Sequence, residues 1–90
     1  MKTIKLQKLV GNVLVARRQA KDIFELAEKD NFQVEFDFEG VTFVSSSFAD
    51  ELFAKGFQKY GKVFKISNLD DDFHKNLIKE VIKGRQMEAA

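Results

Sequence analysis

Residues 34–53 read VEFDFEGVTFVSSSFADELF, and most of the predicted architecture follows from this stretch. Its first residues continue a clean alternation of apolar and polar positions over Phe32–Phe38, which predicts a strand with one buried face. A short loop follows, and the serines then precede apolar residues at helical spacing, which predict a helix over Ser46–Tyr60. The predicted order is therefore strand, loop and helix, with a run of hydroxyl groups at the start of the helix.

The serines at this helix start have a local explanation and a functional one. Unpaired N–H groups at a helix N-terminus favour hydroxyl caps and anions. Ser47 with Asp50 later in the same turn resembles a capping box, and Asp50 and Glu51 lie in the first turn, where negative charge is favourable. Capping by one serine accounts for one hydroxyl group, which leaves the others as ordinary loop polarity or as a modification site.

The segment before this stretch predicts one or two strands and a helix. Thr3–Val10 begins with the alternation of a strand, and Gly11–Asn12 lies between it and the apolar Val13–Val15, which permits a short hairpin. Ala16–Lys29 has apolar residues at helical spacing, with the charged residues largely on the other face. The sequence therefore predicts a strand or hairpin, then a helix, ahead of the Phe32–Phe38 strand.

The segment after the stretch predicts a third strand and a third helix. Gly61 stands where a left-handed C-cap ends the second helix, and Val63–Ile66 is a short apolar strand. Asn68 or Asp70 is the expected N-cap of the last helix, and Gly84 suits its end. The apolar stripe predicted for this helix consists of Phe73, Leu77, Ile78, Val81 and Ile82.

Strands that alternate with helices predict an α/β fold with right-handed crossovers. We expect a small sheet of roughly three to four mostly parallel strands with about three helices, in one domain over residues 1–90 whose residues 83–90 form a frayed tail. The ten phenylalanines are expected to be mainly core. The chain has no cysteine and no apolar run near the roughly 20 residues that cross a bilayer, so we expect a cytoplasmic protein without disulfides.

Charge is distributed unevenly along the chain. Residues 1–21 carry six basic side chains and no acid, whereas residues 22–51 carry nine acids and one lysine, although the net charge is +1. A small nucleotide- or nucleic-acid-binding domain that uses the basic N-terminal third is the alternative function, but this net charge is low for such a protein. Arg17 and Arg18 lie at a helix start, which disfavours cations; they bind a phosphate or an acidic partner, or pair with the acids of residues 22–39.

The central stretch resembles a known family of regulatory domains. Residues 37–44 match the first part of the signature of STAS domains (sulphate transporter and anti-sigma factor antagonist), in which serines and a helix follow. Residues 48–53, with Arg17 and Ala20 at the start of the first helix, more closely resemble a STAS-like domain family of unknown function. The resemblance spans about residues 9–82. It implies a STAS-like sheet that is truncated, without the last strand and helix of a full STAS domain.

This resemblance implies a non-catalytic regulatory module that binds a protein partner, here a histidine-kinase-like ATPase. In regulatory STAS proteins the partner kinase phosphorylates the first serine of an Asp-Ser-Ser-Gly motif, which switches binding. That position is Ser46 in this sequence, where Ser45 replaces the aspartate and Phe48 replaces the glycine. The implied partner-binding or switch region comprises Asp37, Ser45, Ser46, Ser47, Asp50 and Glu51.

Catalysis, metals and cofactors have little support in the sequence. A serine nucleophile needs a base within hydrogen-bond reach, and His74, the only histidine, lies off the apolar stripe, where a solvated side chain is expected. No Gly-x-Ser-x-Gly elbow or phosphate-binding glycine pattern occurs, and Asp70–Asp72 suit a helix start better than a metal loop. We therefore expect no enzymatic activity, catalytic residue, cofactor, metal or membrane contact. A monomer or weak homodimer is expected, since a truncated sheet leaves an open edge.

Overall fold

The structure is a computed structural model that describes the backbone of residues 1–89 and the side chains of residues 1–85. Its strands form two parallel sheets, one with the order β1-β3-β5 and one that pairs β2 with β4. The predicted α/β class with a parallel sheet is therefore confirmed. The smaller sheet is an addition to the single sheet that was expected. The strands are β1 (Lys2–Lys5), β2 (Val13–Leu14), β3 (Val34–Asp37), β4 (Phe43–Val44) and β5 (Lys65–Ser67).

The helices cover the larger sheet, and the second long one contains an irregular turn. Residues 46–60 form one continuous helix, here called the central helix, in which a π-helical turn, Asp50–Ala54, separates two α-helical parts. Such π-turns are rare and frequently occur at functional sites. Among the helices of the described residues, none combines the length and apolar character that crossing a bilayer requires. The helices are α1 (Leu6–Val10), α2 (Arg17–Glu28), α3 (Ser46–Ala49), α4 (Lys55–Tyr60) and α5 (Asp72–Ala89).

The N-terminal segment differs from its prediction. The strand ends at Lys5, so the prediction of a strand over Thr3–Val10 is wrong beyond that residue, and α1 follows. Leu9 lies on this helix and is 54% exposed. Gly11, at φ 95°, then turns the chain, and its N–H group donates to Gln7 O at 3.0 Å. A residue without Cβ adopts this backbone conformation at little cost.

The predicted hairpin at Gly11–Asn12 is also wrong, because β2 pairs in parallel with β4, which is distant in sequence. The register aligns Val13 with Phe43 and Leu14 with Val44. Gln19 holds β2 in this place: its side-chain amide donates to Val13 O at 3.2 Å and to Val10 O at 3.0 Å. Its Oε1 accepts from the N–H groups of the two residues before α2, at 3.0 and 2.9 Å.

Parallel pairing of β2 with β4 sets the position of the two helices that follow these strands. The chain leaves β2 into α2 and leaves β4 into the central helix. The Ser45 N–H group donates to Leu14 O at 2.8 Å, one step beyond the strand register. Because parallel strands run in the same direction, the N-termini of α2 and of the central helix lie side by side.

The core is aromatic and is centred on Phe32. The strand is shorter than the predicted Phe32–Phe38, at Val34–Asp37, but the predicted apolar face is buried, since Phe32, Val34, Phe36 and Phe38 are each at most 1% exposed. The Phe32 ring stacks on Tyr60 at 5.1 Å between ring centroids, in an offset geometry that aromatic pairs favour. Phe32 has φ 63°, which a bulky residue rarely adopts, so its burial offsets a backbone strain of about 1–3 kcal/mol.

Helix α5 differs from its prediction in its N-cap, in one residue of its apolar stripe and in its C-terminal end. Asp71, rather than Asn68 or Asp70, caps it, since Asp71 Oδ2 accepts from the His74 N–H group at 3.2 Å. Phe73 was predicted in the apolar stripe but is 63% exposed, whereas its neighbour His74 is only 9% exposed. The other stripe residues, Leu77, Ile78, Val81 and Ile82, are buried or half-buried as predicted.

Gly84 does not end α5, which continues to Ala89. The backbone of the predicted tail, residues 83–90, is therefore helical as far as Ala89. The side chains of residues 86–90 and the backbone of Ala90 lie outside the described part of the chain.

Candidate functional site

A cleft of about 240 Å³ lies where α2, the central helix and α5 meet. Two of the three predicted serines line it, together with Asp50 and an arginine from each of the flanking helices. Its position follows from the parallel pairing of β2 with β4, which brings the start of α2 beside the start of the central helix. We call it the serine cleft; it is lined by Arg17, Ser46, Ser47, Asp50, Val81, Gly84 and Arg85.

Ser45 caps the central helix, so the prediction that Ser47 caps it in a box with Asp50 is wrong. Ser45 is extended, with φ −84° and ψ 161°, and its Oγ accepts from the Phe48 N–H group at 3.1 Å. The same hydroxyl group donates to Val15 O at 2.8 Å, which ties the cap to the end of β2. The Ser45 hydroxyl group therefore uses its hydrogen bonds to hold the local fold together.

Ser46 and Ser47 are the first two residues of the central helix and both line the serine cleft. Ser46 is exposed and Ser47 is half-buried. Neither is the cap, which leaves their hydroxyl groups at the surface of the cleft. The structure thus separates the three serines into one that holds the helix and two that face the cleft.

Asp50 is held by two arginines that come from opposite ends of the chain. Arg85 Nε and Nη2 donate to Asp50 Oδ1 and Oδ2, both at 2.8 Å, and Arg17 Nη1 donates to Oδ2 at 3.3 Å. The hydrogen bonds from Arg85 hold the pKa of the Asp50 carboxyl below its ordinary value of 3.8, against an opposing effect of burial, and Arg17 adds to the lowering. Asp50 is therefore a carboxylate with its charge balanced inside the cleft.

Glu51 is 4% exposed and carries a second acidic charge beside the cleft. Its Oε2 contacts Lys55 Nζ in the next turn of the helix and lies 3.9 Å from Arg17 Nη1. The alignment is poor, since within the described residues this buried oxygen accepts no hydrogen bond. Arg17 lies between the carboxylates of Asp50 and Glu51, which compensates its unfavourable position at a helix N-terminus.

The two predicted arginine contacts therefore differ. Arg17 pairs with Asp50 and Glu51, and not with the acids of residues 22–39 that were considered. Arg18 is exposed, and its guanidinium group makes no hydrogen bond or ion pair with another residue of the part of the chain that the structure describes. Of these two arginines, Arg17 lines the serine cleft and Arg18 does not.

Asp37 does not line the serine cleft, although it was predicted in the same region. Its Oδ1 accepts from Asn68 Nδ2 at 2.7 Å and from the Glu39 N–H group at 2.9 Å. The bond from Asn68, then that from Glu39, lowers the pKa of Asp37 from its ordinary 3.8, against the effect of burial. Asp37 thus joins the end of β3 to the turn after β5, and its role in the structure is at that end of the larger sheet.

His74 is buried, so the prediction of a solvated side chain is wrong. Its Nδ1 lies 2.5 Å from Asp71 Oδ2, and its Nε2 accepts from the Val44 N–H group at 3.3 Å. Both ring nitrogens are therefore occupied, and the histidine joins the first turn of α5 to β4. His74 precedes Ile78 by one helical turn and so shares its buried face, but its polar side chain was not counted in the predicted apolar stripe.

Arg85 is the cleft residue that sequence reasoning missed as a site residue. It was not among the candidate residues that the sequence indicated, and it lies 35 residues from its partner Asp50. Its spacing from Val81 is a single helical turn, and both line the cleft. That spacing indicates a shared helix face, but nothing local indicates which acid the face meets.

Comparison with known families places the chain in one of them. A family described as a STAS-like domain of unknown function (DUF4325) matches residues 19–74, which is more than half of the chain, and the chain belongs to that family. The resemblance drawn from the central stretch is therefore confirmed. The matched residues include Ser46, Ser47 and Asp50, whereas Arg17 and Arg85 lie outside them. No curated protein and no solved structure matches the chain.

Proposed function

We propose that this chain is a non-catalytic regulatory module that binds a protein partner at the serine cleft, and that phosphorylation of Ser46 switches this binding. One observation carries the proposal: Ser46 is exposed on a cleft that also contains the guanidinium groups of Arg17 and Arg85. An exposed hydroxyl group is accessible to a kinase. Arginines beside it are the groups that bind a phosphoryl group most favourably.

The charges of the cleft favour a phosphate on Ser46 more than the sequence indicated. A phosphoserine carries about −1.5 to −2 charges, which Asp50 and Glu51 alone would repel. Both acids are already paired with cations, so their repulsion is reduced. Arg17 is 51% exposed and lies 3.3 Å from Asp50, whereas Arg85 is at 2.8 Å from the same oxygen. We therefore expect Arg17 to bind the phosphate, while Arg85 stays paired with Asp50.

The two departures from the STAS signature have structural roles that are compatible with this switch. Ser45, in place of aspartate, caps the helix as a neutral residue and donates to Val15 O at 2.8 Å. Phe48, in place of glycine, is 0% exposed and belongs to the core. Neither substitution occupies the cleft. The neutral cap also places one negative charge fewer beside a phosphate on Ser46.

A binding role is supported over serine catalysis by the position of His74. A serine nucleophile needs a base that can take its proton. The Nε2 of His74 accepts from the Val44 N–H group at 3.3 Å and its Nδ1 faces Asp71, so neither nitrogen is directed to Ser46 or Ser47. The partner that we propose is a histidine-kinase-like ATPase, the class that the STAS resemblance implies.

The alternative of a nucleotide- or nucleic-acid-binding domain has less support from the arrangement of charges. Two of the basic residues of the N-terminal third are engaged within the protein, Arg17 with Asp50 and Lys2 with Asp30 at 3.8 Å. The uneven charge along the chain is therefore partly balanced in three dimensions.

The experiment compares wild-type protein with Ser46→Asp and Ser46→Ala as baits in the cells that express the protein naturally. We expect a kinase-fold ATPase bound to wild type and to Ser46→Ala, reduced at least about tenfold on Ser46→Asp, because the added charge alters the cleft as a phosphate does. Asn76→Asp, at an exposed position of α5 outside the cleft, adds the same charge and serves as the control.

Mass spectrometry of the purified natural protein tests the modification itself. The expected result is phosphate on Ser46, and not on the cap residue Ser45. Equal capture of the same proteins by wild type, Ser46→Asp and Asn76→Asp, together with unmodified Ser46, would show that the cleft is not a phosphate-controlled binding site.

A further inference from the structure

A second concave surface lies on a different face of α5. It has a volume of about 610 Å³ and is bounded by β5, α4 and α5. The side of α5 that lines this surface contains Ile78 and Ile82, whereas the side that lines the serine cleft contains Val81 and Arg85. We call this surface the lysine groove, since five lysines line it: Lys62, Lys65, Lys75, Lys79 and Lys83.

The charge of the groove is of one sign. All five lysines are exposed, and the lining residues whose side chains the structure describes include no acid. The ammonium group of none of these lysines forms an ion pair or hydrogen bond with another residue of the described part of the chain. A net charge of +1 for the whole protein shows that this concentration is local. Adjacent like charges repel one another, so an acidic ligand is the complementary occupant.

The floor of the groove is apolar and is only partly covered. Phe57, Ile66, Leu69 and Ile82 are half-buried and line it. Covering apolar surface contributes roughly 25 cal/mol per Å². An inorganic anion or a nucleic-acid backbone would use the lysines and leave these side chains uncovered. The occupant that fits both features has carboxylates and aliphatic or aromatic side chains, as an acidic peptide has.

The edge of the larger sheet indicates the conformation of that peptide. The order β1-β3-β5 leaves β5 at an edge, so its outer backbone groups have no strand partner among the described residues. Successive side chains of a strand point to opposite faces, yet both Lys65 and Ile66 line the groove. The groove therefore follows the edge of β5 and not one face of the sheet. A peptide in an extended conformation can pair with such an edge.

We propose that the lysine groove binds an extended acidic segment of a partner protein, which adds a strand beside β5. Its backbone pairs with Lys65–Ser67, its apolar side chains cover the half-buried floor, and its carboxylates meet the lysines. This surface does not include Ser46, so the inference is independent of the phosphoserine switch.

A display library of random peptides provides the probe. The library is selected on wild-type protein, and the enriched peptides are then titrated against a variant with both Lys75→Glu and Lys79→Glu. The control variant has both Lys8→Glu and Lys29→Glu, exposed lysines outside the groove, with the same change of net charge. All four substitutions are at exposed positions, and circular dichroism with thermal unfolding establishes that each variant is folded.

We expect enriched peptides that combine glutamate or aspartate with aliphatic or aromatic residues. Their affinity should fall at least about tenfold for the Lys75/Lys79 variant and about twofold or less for the control, because the groove loses two nearby cations. Affinity should also fall as salt is raised. Amide hydrogen exchange at Lys65–Ser67 should slow when the peptide is bound, which ordinary side-chain contact would not cause.

Several outcomes would overturn the proposal. The selection could enrich peptides without acidic residues, or enrich none over an uncoated surface. Peptide affinity could fall equally in both lysine variants, or amide hydrogen exchange at β5 could stay unchanged when the peptide binds. Displacement of the peptide by a short single-stranded oligonucleotide at equal concentration would assign the groove to nucleic acid instead. Concentration-dependent dimers that the Lys75/Lys79 variant loses would assign it to a second copy of the chain. Ser46→Asp should leave peptide affinity unchanged, which separates failure of this proposal from failure of the switch.

Discussion

Arg85 meets Asp50 through two parallel hydrogen bonds, Nε to Oδ1 and Nη2 to Oδ2, each of 2.8 Å. The pair joins the last part of α5 to the first residue of the π-helical turn in the central helix. Only a planar guanidinium matches a carboxylate in this way. The contact therefore fixes both the position of α5 and one wall of the serine cleft.

Loss of Arg85 should destabilise the protein measurably. We expect Arg85→Ala to lower the free energy of unfolding by about 1–2 kcal/mol, because a partly buried hydrogen-bonded charge pair is broken. Arg85→Lys should recover less than half of this, since an ammonium group cannot bond both oxygens in the same plane. Urea unfolding measures the difference. The control, Lys79→Ala at an exposed site of the same helix, should stay within about 0.5 kcal/mol of wild type. An unchanged midpoint for Arg85→Ala would contradict a stabilising role for the pair.

Stability should decrease in acid through Asp37 and Asp50. Both carboxyl groups have a pKa below their ordinary value of 3.8 in the folded protein. Folding therefore favours their charged forms, and this stabilisation is fully present above the unfolded pKa. It is lost as the pH falls below that value and through the lowered pKa of the folded state.

Urea unfolding at a series of pH values between about 6 and 2 measures this dependence. Asp37→Asn and Asp50→Asn should each flatten the decrease in stability toward low pH, because one of the two groups no longer titrates. Asp22→Asn, at an exposed position of α2, is the matched control and should follow wild type. Curves of equal slope for wild type and Asp50→Asn would show that the arginines do not stabilise the charged carboxylate.

Gly56 is required by the close approach of the Phe32 ring. A Cβ at this position would lie 3.0 Å from Phe32 Cδ2 and nearer still to Cζ, at 2.7 Å. The ring is fully buried and cannot move away freely. We expect Gly56→Ala to destabilise the protein by about 1–3 kcal/mol through overpacking.

Gly84 provides the matched substitution for this test. It also lies within a helix, but an added Cβ there would have no neighbour within 4 Å among the described residues outside its own turn of helix. Gly84→Ala should therefore be neutral or stabilise by up to about 1 kcal/mol, through its effect on the unfolded chain. Thermal unfolding of the two variants compares them directly. Similar melting temperatures would mean that the Phe32 ring has room to move.

The serines should differ in their effect on stability. Ser45→Ala removes the cap that accepts from the Phe48 N–H group, and we expect a loss of about 0.5–2 kcal/mol. Ser47→Ala removes a hydroxyl group that lines the cleft without capping the helix, so its change should stay within about 0.5 kcal/mol. Chemical denaturation of both variants makes the comparison. A larger loss for Ser47→Ala than for Ser45→Ala would restore the capping box that the sequence suggested.

Local periodicity determined the main elements of this protein. The alternation over Phe32–Phe38 requires a strand with one apolar face, and that face is buried. The helical spacing after the serines predicted the limits of the central helix, Ser46 and Tyr60, although not its π-turn. A strand repeats its side-chain direction every two residues and a helix about every 3.6 residues. Residues close together in the sequence are therefore enough to predict these elements. The family resemblance depended on motifs in residues 37–53, together with Arg17 and Ala20.

Tertiary contacts decided the remainder. Two-residue strands such as Val13–Leu14 have too few residues to specify a partner, so the pairing with Phe43–Val44 depends on the surrounding core. The packing of α5 beside β4 decides that His74 is buried while Phe73 is exposed. Arg85 and Asp50 are 35 residues apart in the sequence, so they come into contact only when the helices pack together. The serines and their motif are thus present in the sequence, but the arginines that make a charged cleft around them are brought there by the fold.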